Sequence, residues 1–144
     1  EPTGGSMNRE SAMTHCSGLT LGGTGWRLPN ISELRSLIRN CADIEAGGAC
    51  GVKDECSSCD VSASDVCLSL IPCYKSSVCN PSSCPNDGGP AGCYWPLELS
   101  GTCSWYWSSS LVEDDNNYAW YVDFDYGKVD NIAAYSDYDV RCVR

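Results

Sequence analysis

The sequence predicts an α+β domain, on three observations. Helical periodicity is confined to residues 1–40 and strand alternation to residues 104–144, and the stretch between them is dense in cysteine with little periodicity of either kind. At 144 residues the chain is long enough for one real core and short for two, so a single domain over 1–144 is expected. Hydrophobic residues make up 42%, a level at which a folded chain is the expectation.

Within the first zone, SMNRESAMTHCSGLTLGG predicts a helix that starts near Ser11. It spaces Ala12, Cys16 and Leu19 on one face and stops at Gly22 and Gly23. GWRLPNISELRSLIRN predicts a second helix: Asn30 caps it, Glu33 stands in capping-box position, and Ile31, Leu34, Leu37 and Ile38 form an apolar stripe. Pro29 keeps the chain before the cap extended.

The middle zone, 41–103, holds ten of the 12 cysteines among many Ser, Gly and Pro residues. So long a segment without secondary structure is unusual inside a compact domain. Disulfides remove the objection by restricting the unfolded chain, each contributing roughly 2–4 kcal/mol. Cys41, Cys50, Cys56, Cys59, Cys67, Cys73, Cys79, Cys84, Cys93 and Cys103 are therefore expected to pair among themselves, in a connectivity that spacing leaves open. Cys56 and Cys59 have the spacing of half a zinc site or a redox pair. A second such pair is missing and the single histidine, His15, lies far off, so structural bridging is the expectation.

The last zone reads as strands. SWYWSSS begins them, with Trp107 expected in the core. YAWYVDF puts Tyr118, Trp120, Val122 and Phe124 on one face, and Ala119, Tyr121 and Asp123 on the other. DYGK is a turn with Gly127 at its positive-φ position, and VDNIAAY and DVRCVR are the last two strands. Tyr126, Tyr135 and Tyr138 fall in or beside turns, where a core role is hard to supply. Asp123 and Asp125 read as solvent-exposed. Trp105 and Tyr106 are open to either packing or stacking on a sugar ring.

Charge narrows the function. A formal net charge of −10, from 19 acidic and 9 basic residues, disfavours nucleic acid and anionic membrane surfaces as partners. No apolar run has the length of a membrane span, and Glu1 follows no hydrophobic leader, so the chain reads as a mature or trimmed piece of an extracellular, cell-surface or virion-surface protein. The run from Glu113 to Asn117 has oxygen ligands that calcium could use, but it reads as a solvated turn, and no metal or other cofactor is expected. Ser108, Ser109 and Ser110 have no evident base, so catalysis is not expected.

Taken as a set, GWRLPNISELRSLI, YWSSS, AWYVDF, GKV and VRCVR resemble the bacterial and archaeal domain typified by the C-terminal region of the Legionella collagen-like adhesin. The resemblance spans roughly residues 7–40 and 94–144. It implies a C-type-lectin-like fold, two helices flanking a small, mostly antiparallel sheet, with 41–103 as a long disulfide-rich loop insertion. It also implies a bond between Cys16 and Cys142. Members of the family usually begin with an aromatic-bearing strand that EPTGGSMNRE does not obviously supply. A sheet without that strand, or a trimmed chain, is the expectation.

Some members of this family are variable proteins of diversity-generating retroelements, in which mutation of adenines yields Asn, Tyr, Asp, Ser and Ala at chosen positions. DDNNY and AAYSDY use that palette. It is also the mixture that suits recognition, since Tyr gives rigid contact area and Ser, Asn and Asp give adaptable hydrogen bonds. The resemblance thus implies a secreted or surface-displayed ligand-binding protein, with a protein or glycan on another cell as its partner. The binding face is expected at 111–118, 125–126 and 130–138, carried by Asp114, Asp115, Asn116, Asn117, Tyr118, Asp125, Tyr126, Asp130, Asn131, Tyr135, Asp137 and Tyr138. The alternatives are a structural or adhesive module that self-assembles as a homo-oligomer, and an enzyme akin to formylglycine-generating enzymes, whose active-site pattern is not recognisable here.

Overall fold

In the computed structural model, residues 3–54, 74, 76–80, 84 and 92–144 are described. Strand β1 (Thr3–Met7) leads into helix α1 (Arg9–Ser17), followed by the short helices α2 (Ile31–Arg35) and α3 (Ser76–Cys79). Strands β2 (Trp105–Val112), β3 (Asp115–Asp123), β4 (Lys128–Ala133) and β5 (Tyr138–Arg141) complete the chain. They form a five-stranded mixed sheet in the order β1-β5-β2-β3-β4, in which β2 and β5 run parallel and the other neighbours antiparallel. The class is α+β.

Period-2 alternation in β3 divides the core in two. Trp120 and Val122 enter a cluster with Ile31, Leu34 and the disulfide-bearing loops. Ala119, with Tyr121 packed against it, enters a second cluster with Ala12, Cys16, Trp107 and Val140. Adjacent strand residues face opposite sides of a sheet, so α1 and α2 cover opposite faces. Trp107 and Trp120 are fully buried.

Several expectations are corrected. The first strand exists: β1 pairs with β5, Thr3 opposite Arg141, although its glycines give no alternation to read. The cap of α1 is Asn8, whose side chain accepts from the Ser11 backbone N–H, so Ser11 stands inside the helix. That helix ends at Gly18, and Leu19 lies beyond it, half-buried against the second cluster. Asn30 and Glu33 make the reciprocal capping box, but α2 stops after Arg35 and leaves Ile38 to bury itself from a turn.

The serines of β2 are structural. Ser108 donates to the Trp120 carbonyl at 2.7 Å and Ser109 donates its backbone N–H to Pro29 at 2.7 Å. Ser110 accepts from the Ile31 N–H, one of the donors a helix start leaves unpaired, and donates to Asp54. Arg35 is buried and spends its donors on the carbonyls of Ile44, Glu45, Cys50 and Val52, pinning the loop after α2. Burial lowers its pKa to about 10, which leaves it charged at neutral pH.

Among the described residues four disulfides brace this frame: Cys16–Cys142, Cys41–Cys84, Cys50–Cys79 and Cys93–Cys103. Cys56, Cys59, Cys67 and Cys73 lie outside the described residues. Gly127 has φ 61°, and a Cβ there would lie 3.0 Å from both Cys84 Sγ and the Tyr94 ring, so turn and packing both require glycine. Asp123, expected in solvent, is buried, because its Oδ1 accepts the backbone N–H of Asp125 at 3.0 Å and of Tyr126 at 3.2 Å to shape the same turn. Burial raises its pKa, against the hydrogen bonds from Trp105 and from the turn.

Two outcomes follow. Cys16 and Cys142 are 126 residues apart, and nested bridges shorten the loop they close, so Cys16→Ala with Cys142→Ala should lower the unfolding free energy by about 4 kcal/mol in a guanidinium titration. A folded-state carboxyl pKa above its unfolded value means that the native state binds the extra proton. Stability from Asp123 must then fall as pH rises from the ordinary carboxylate range to the raised pKa. Asp123→Asn keeps the oxygen acceptor and removes the charge. Its melting temperature should lack that fall and at neutral pH should equal or exceed wild type.

Candidate functional site

At one end of the sheet three segments are stitched together by backbone hydrogen bonds. Tyr118 pairs with Ala133, the Ala134 N–H donates to Asn117 at 2.8 Å, and the Arg9 N–H donates to Ala134 at 3.1 Å. The start of β3, the β4–β5 crossover and the N-terminus of α1 therefore meet, and a groove of about 660 Å³ lies among them. Its floor includes Leu111 and Ala133, and its polar lining is Asn8, Arg9 and Glu10 from the helix with Asn116 and Asn117 from β3. Tyr118 and Tyr135 line it as well, 41% and 82% exposed.

Arg9 is the one cation of this lining, and it is half-buried with its guanidinium donating to the Ser109 carbonyl. Burial lowers its pKa. Glu10 beside it is exposed. A side chain held in this way offers fixed polarity, whereas the two tyrosines offer open ring surface. The arrangement suits stacking and hydrogen bonding.

Of the residues expected to bind, Asn116, Asn117, Tyr118 and Tyr135 line this groove. Asp114 is exposed in the two-residue turn between β2 and β3, and Asp137 is exposed on the crossover. Asp115 is half-buried and accepts from Asn117 through its backbone N–H at 3.0 Å and Nδ2 at 2.8 Å, which fixes the Asn117 amide. Asp125 and Tyr126 are exposed but sit at the far end of the β3–β4 hairpin. They lie beyond the Asp123–Lys128 pair, which is itself five residue steps, about 17 Å, from the Tyr118–Ala133 pair. Lys128 Nζ lies 4.8 Å from the centre of the Tyr126 ring.

Three residues depart from the expected role. Asp130 is half-buried at the sheet edge and accepts from Tyr74 Oη at 2.7 Å and Asn80 Nδ2 at 2.6 Å, so it fastens the Cys-rich segment to β4. That covering also shields an edge strand. Asn131 is half-buried and donates its N–H to Asp130. Tyr138 is 8% exposed, because it opens β5 and packs on Trp107 at 4.9 Å and Tyr121 at 4.8 Å. The continuous face expected from the sequence is thus two separate patches with a buried tyrosine between strands. Asn8, Arg9 and Glu10 were not expected at a site, and only the capping residue Asn8 carries a sequence signal.

Trp105, left open by the sequence, is 44% exposed, whereas Tyr106 is buried. Burial raises the pKa of Tyr121 and Tyr138, with the Asp130 carboxylate adding to it in both. Among the described residues no group of three or more His, Cys, Asp or Glu is placed to hold a metal ion, and no helix is long and apolar enough to cross a membrane.

No curated protein and no solved structure matches the chain. A family model does, over residues 2–144, nearly the whole length. The chain belongs to the Lcl C-terminal domain family.

Proposed function

We propose that this chain is a surface-displayed recognition module of adhesin type, with a C-type-lectin-like architecture and a single domain over 1–144, that grips a protein or glycan on another cell in the groove between Tyr118 and Tyr135. The observation that carries the reading is that pair of exposed rings over a groove lined by asparagine amides. Tyr loses little rotamer entropy on binding and presents a large amphipathic surface, the Asn116 amide adapts to the donors and acceptors the ligand brings, and the Asn117 amide is held in place by Asp115. The architecture is supported by the bond from the first helix to the chain's last segment, and by the pairing of β1 with β5, which sets the two ends of the domain side by side. The disulfides support an oxidising, extracellular setting.

The same groove suits diversification. Asn116, Asn117, Tyr118 and Tyr135 project from strand and crossover backbone whose hydrogen bonds do not depend on their side chains, so they can change while the ladder persists. The test uses purified protein on a printed panel of glycans and cell-surface proteins. Tyr118→Ala with Tyr135→Ala should weaken capture at least tenfold, about 1.4 kcal/mol, with an unchanged melting temperature, while Tyr126→Ala at the far end should bind as wild type. Exchanging Asn116, Asn117 and Tyr135 for other residues should alter which spots are captured. Equal capture by the double tyrosine variant would remove the groove as the site.

A further inference from the structure

A second aromatic feature lies on the α1-side face of the sheet. Trp105 stands opposite Asp123 and Tyr121 opposite Asp130 in the ladders. Directly paired residues project to the same face, so these four share a face with Trp107 and Tyr138. The ring centres form a triangle: Trp105 to Tyr138 5.1 Å, Tyr121 to Tyr138 4.8 Å, and Trp105 to Tyr121 6.4 Å. Tyr138 is the buried member, and the planes of Trp105 and Tyr121 are inclined at 54° to each other.

The polar edges of this cluster are already engaged. The Trp105 indole is turned toward the Asp123 carboxylate, and the Tyr121 and Tyr138 side chains are turned toward each other. Asp123 also accepts two backbone N–H groups, and Asp130 accepts from Tyr74, Asn80 and Asn131. What remains for a ligand is the negative faces of fixed rings and the charge of two carboxylates whose hydrogen-bonding capacity is largely committed. Lys128 pairs with Asp123 and so shares this face, but its Nζ is turned toward the hairpin end, over the Tyr126 ring. A sugar would find few unspent donors and acceptors, and an anion would be repelled. Guanidinium and primary ammonium groups need acceptors that are largely taken. A quaternary ammonium carries positive charge, needs no acceptor and is attracted to aromatic faces.

We propose that Trp105 and Tyr121, over Tyr138 and backed by Asp123 and Asp130, form a binding site for a quaternary ammonium group, distinct from the groove at Tyr118 and Tyr135. The raised pKa of Asp123 is consistent with this, since a buried carboxylate that costs stability is kept beside the one half-exposed tryptophan of the face.

The test is calorimetric titration of the intact, disulfide-bonded chain with choline and, in parallel, with 3,3-dimethylbutan-1-ol, its uncharged isostere. Choline should bind saturably in the millimolar range and the isostere at least tenfold more weakly. Trp105→Ala should abolish choline binding and Trp105→Phe should retain part of it, whereas Tyr135→Ala should leave it unchanged, which separates this site from the groove. The Phe variant keeps an aromatic in place and decides the matter if the Ala variant does not fold. The assignment is overturned if the isostere binds as tightly as choline, if either Trp105 variant binds choline as wild type, or if choline gives no saturable heat. Binding of arginine in place of choline would overturn the quaternary ammonium class.

Discussion

The alternation of β3 is the constraint on which the remaining structure rests. Trp120 and Val122 must enter one core cluster while Ala119 and Tyr121 enter the other. A slip of one residue would send two large apolar side chains to the face built for alanine, and the ladders with β2 and β4 hold the register against it. The same strand presents Asn116 to Tyr118 at one end and closes on Asp123 at the other. Both surface features therefore inherit their positions from a single buried register.

Covalent bracing then substitutes for regular structure. Among the described residues, the stretch between α2 and β2 is tied by Cys41–Cys84 and Cys50–Cys79, by the carbonyls that converge on Arg35, and by the Asp130 contacts to Tyr74 and Asn80. These are long-range constraints on a chain that local propensity alone would leave open. The described residues of that stretch in turn cover the β4 edge and fill part of the α2-side core.

What could be read beforehand follows from how local each cause is. The capping box of α2 depends on residues three apart and was legible, as was the two-faced strand from Tyr118 to Asp123, whose alternation is written in its own side chains. β1 was not, because Thr-Gly-Gly-Ser has no apolar period, and its extended state comes from pairing with β5 more than a hundred residues away. Tyr138 looked exposed among Ser and Asp neighbours, and its burial comes from rings supplied by β2 and β3. Asp123 and Asp130 read as surface charge for the same reason: their partners are a turn and the distant Tyr74 and Asn80. Of the groove, the β3 and crossover residues stood out by composition, while the α1 residues are brought there only by the tertiary fold.

The two surface features ask different things of this frame. Around the groove, Tyr118 and Tyr135 are free of the core, so substitution there costs little stability. Around Trp105 the rings, the turn and Asp123 are locked to one another, so a change in any of them is felt in the β3–β4 turn and in the α1-side core. A locked cluster keeps one geometry and suits one ligand chemistry, whereas a rim of independent side chains suits many. The proposed division between variable and fixed recognition would therefore fall along the boundary between side chains that stand clear of the buried register and those that take part in it.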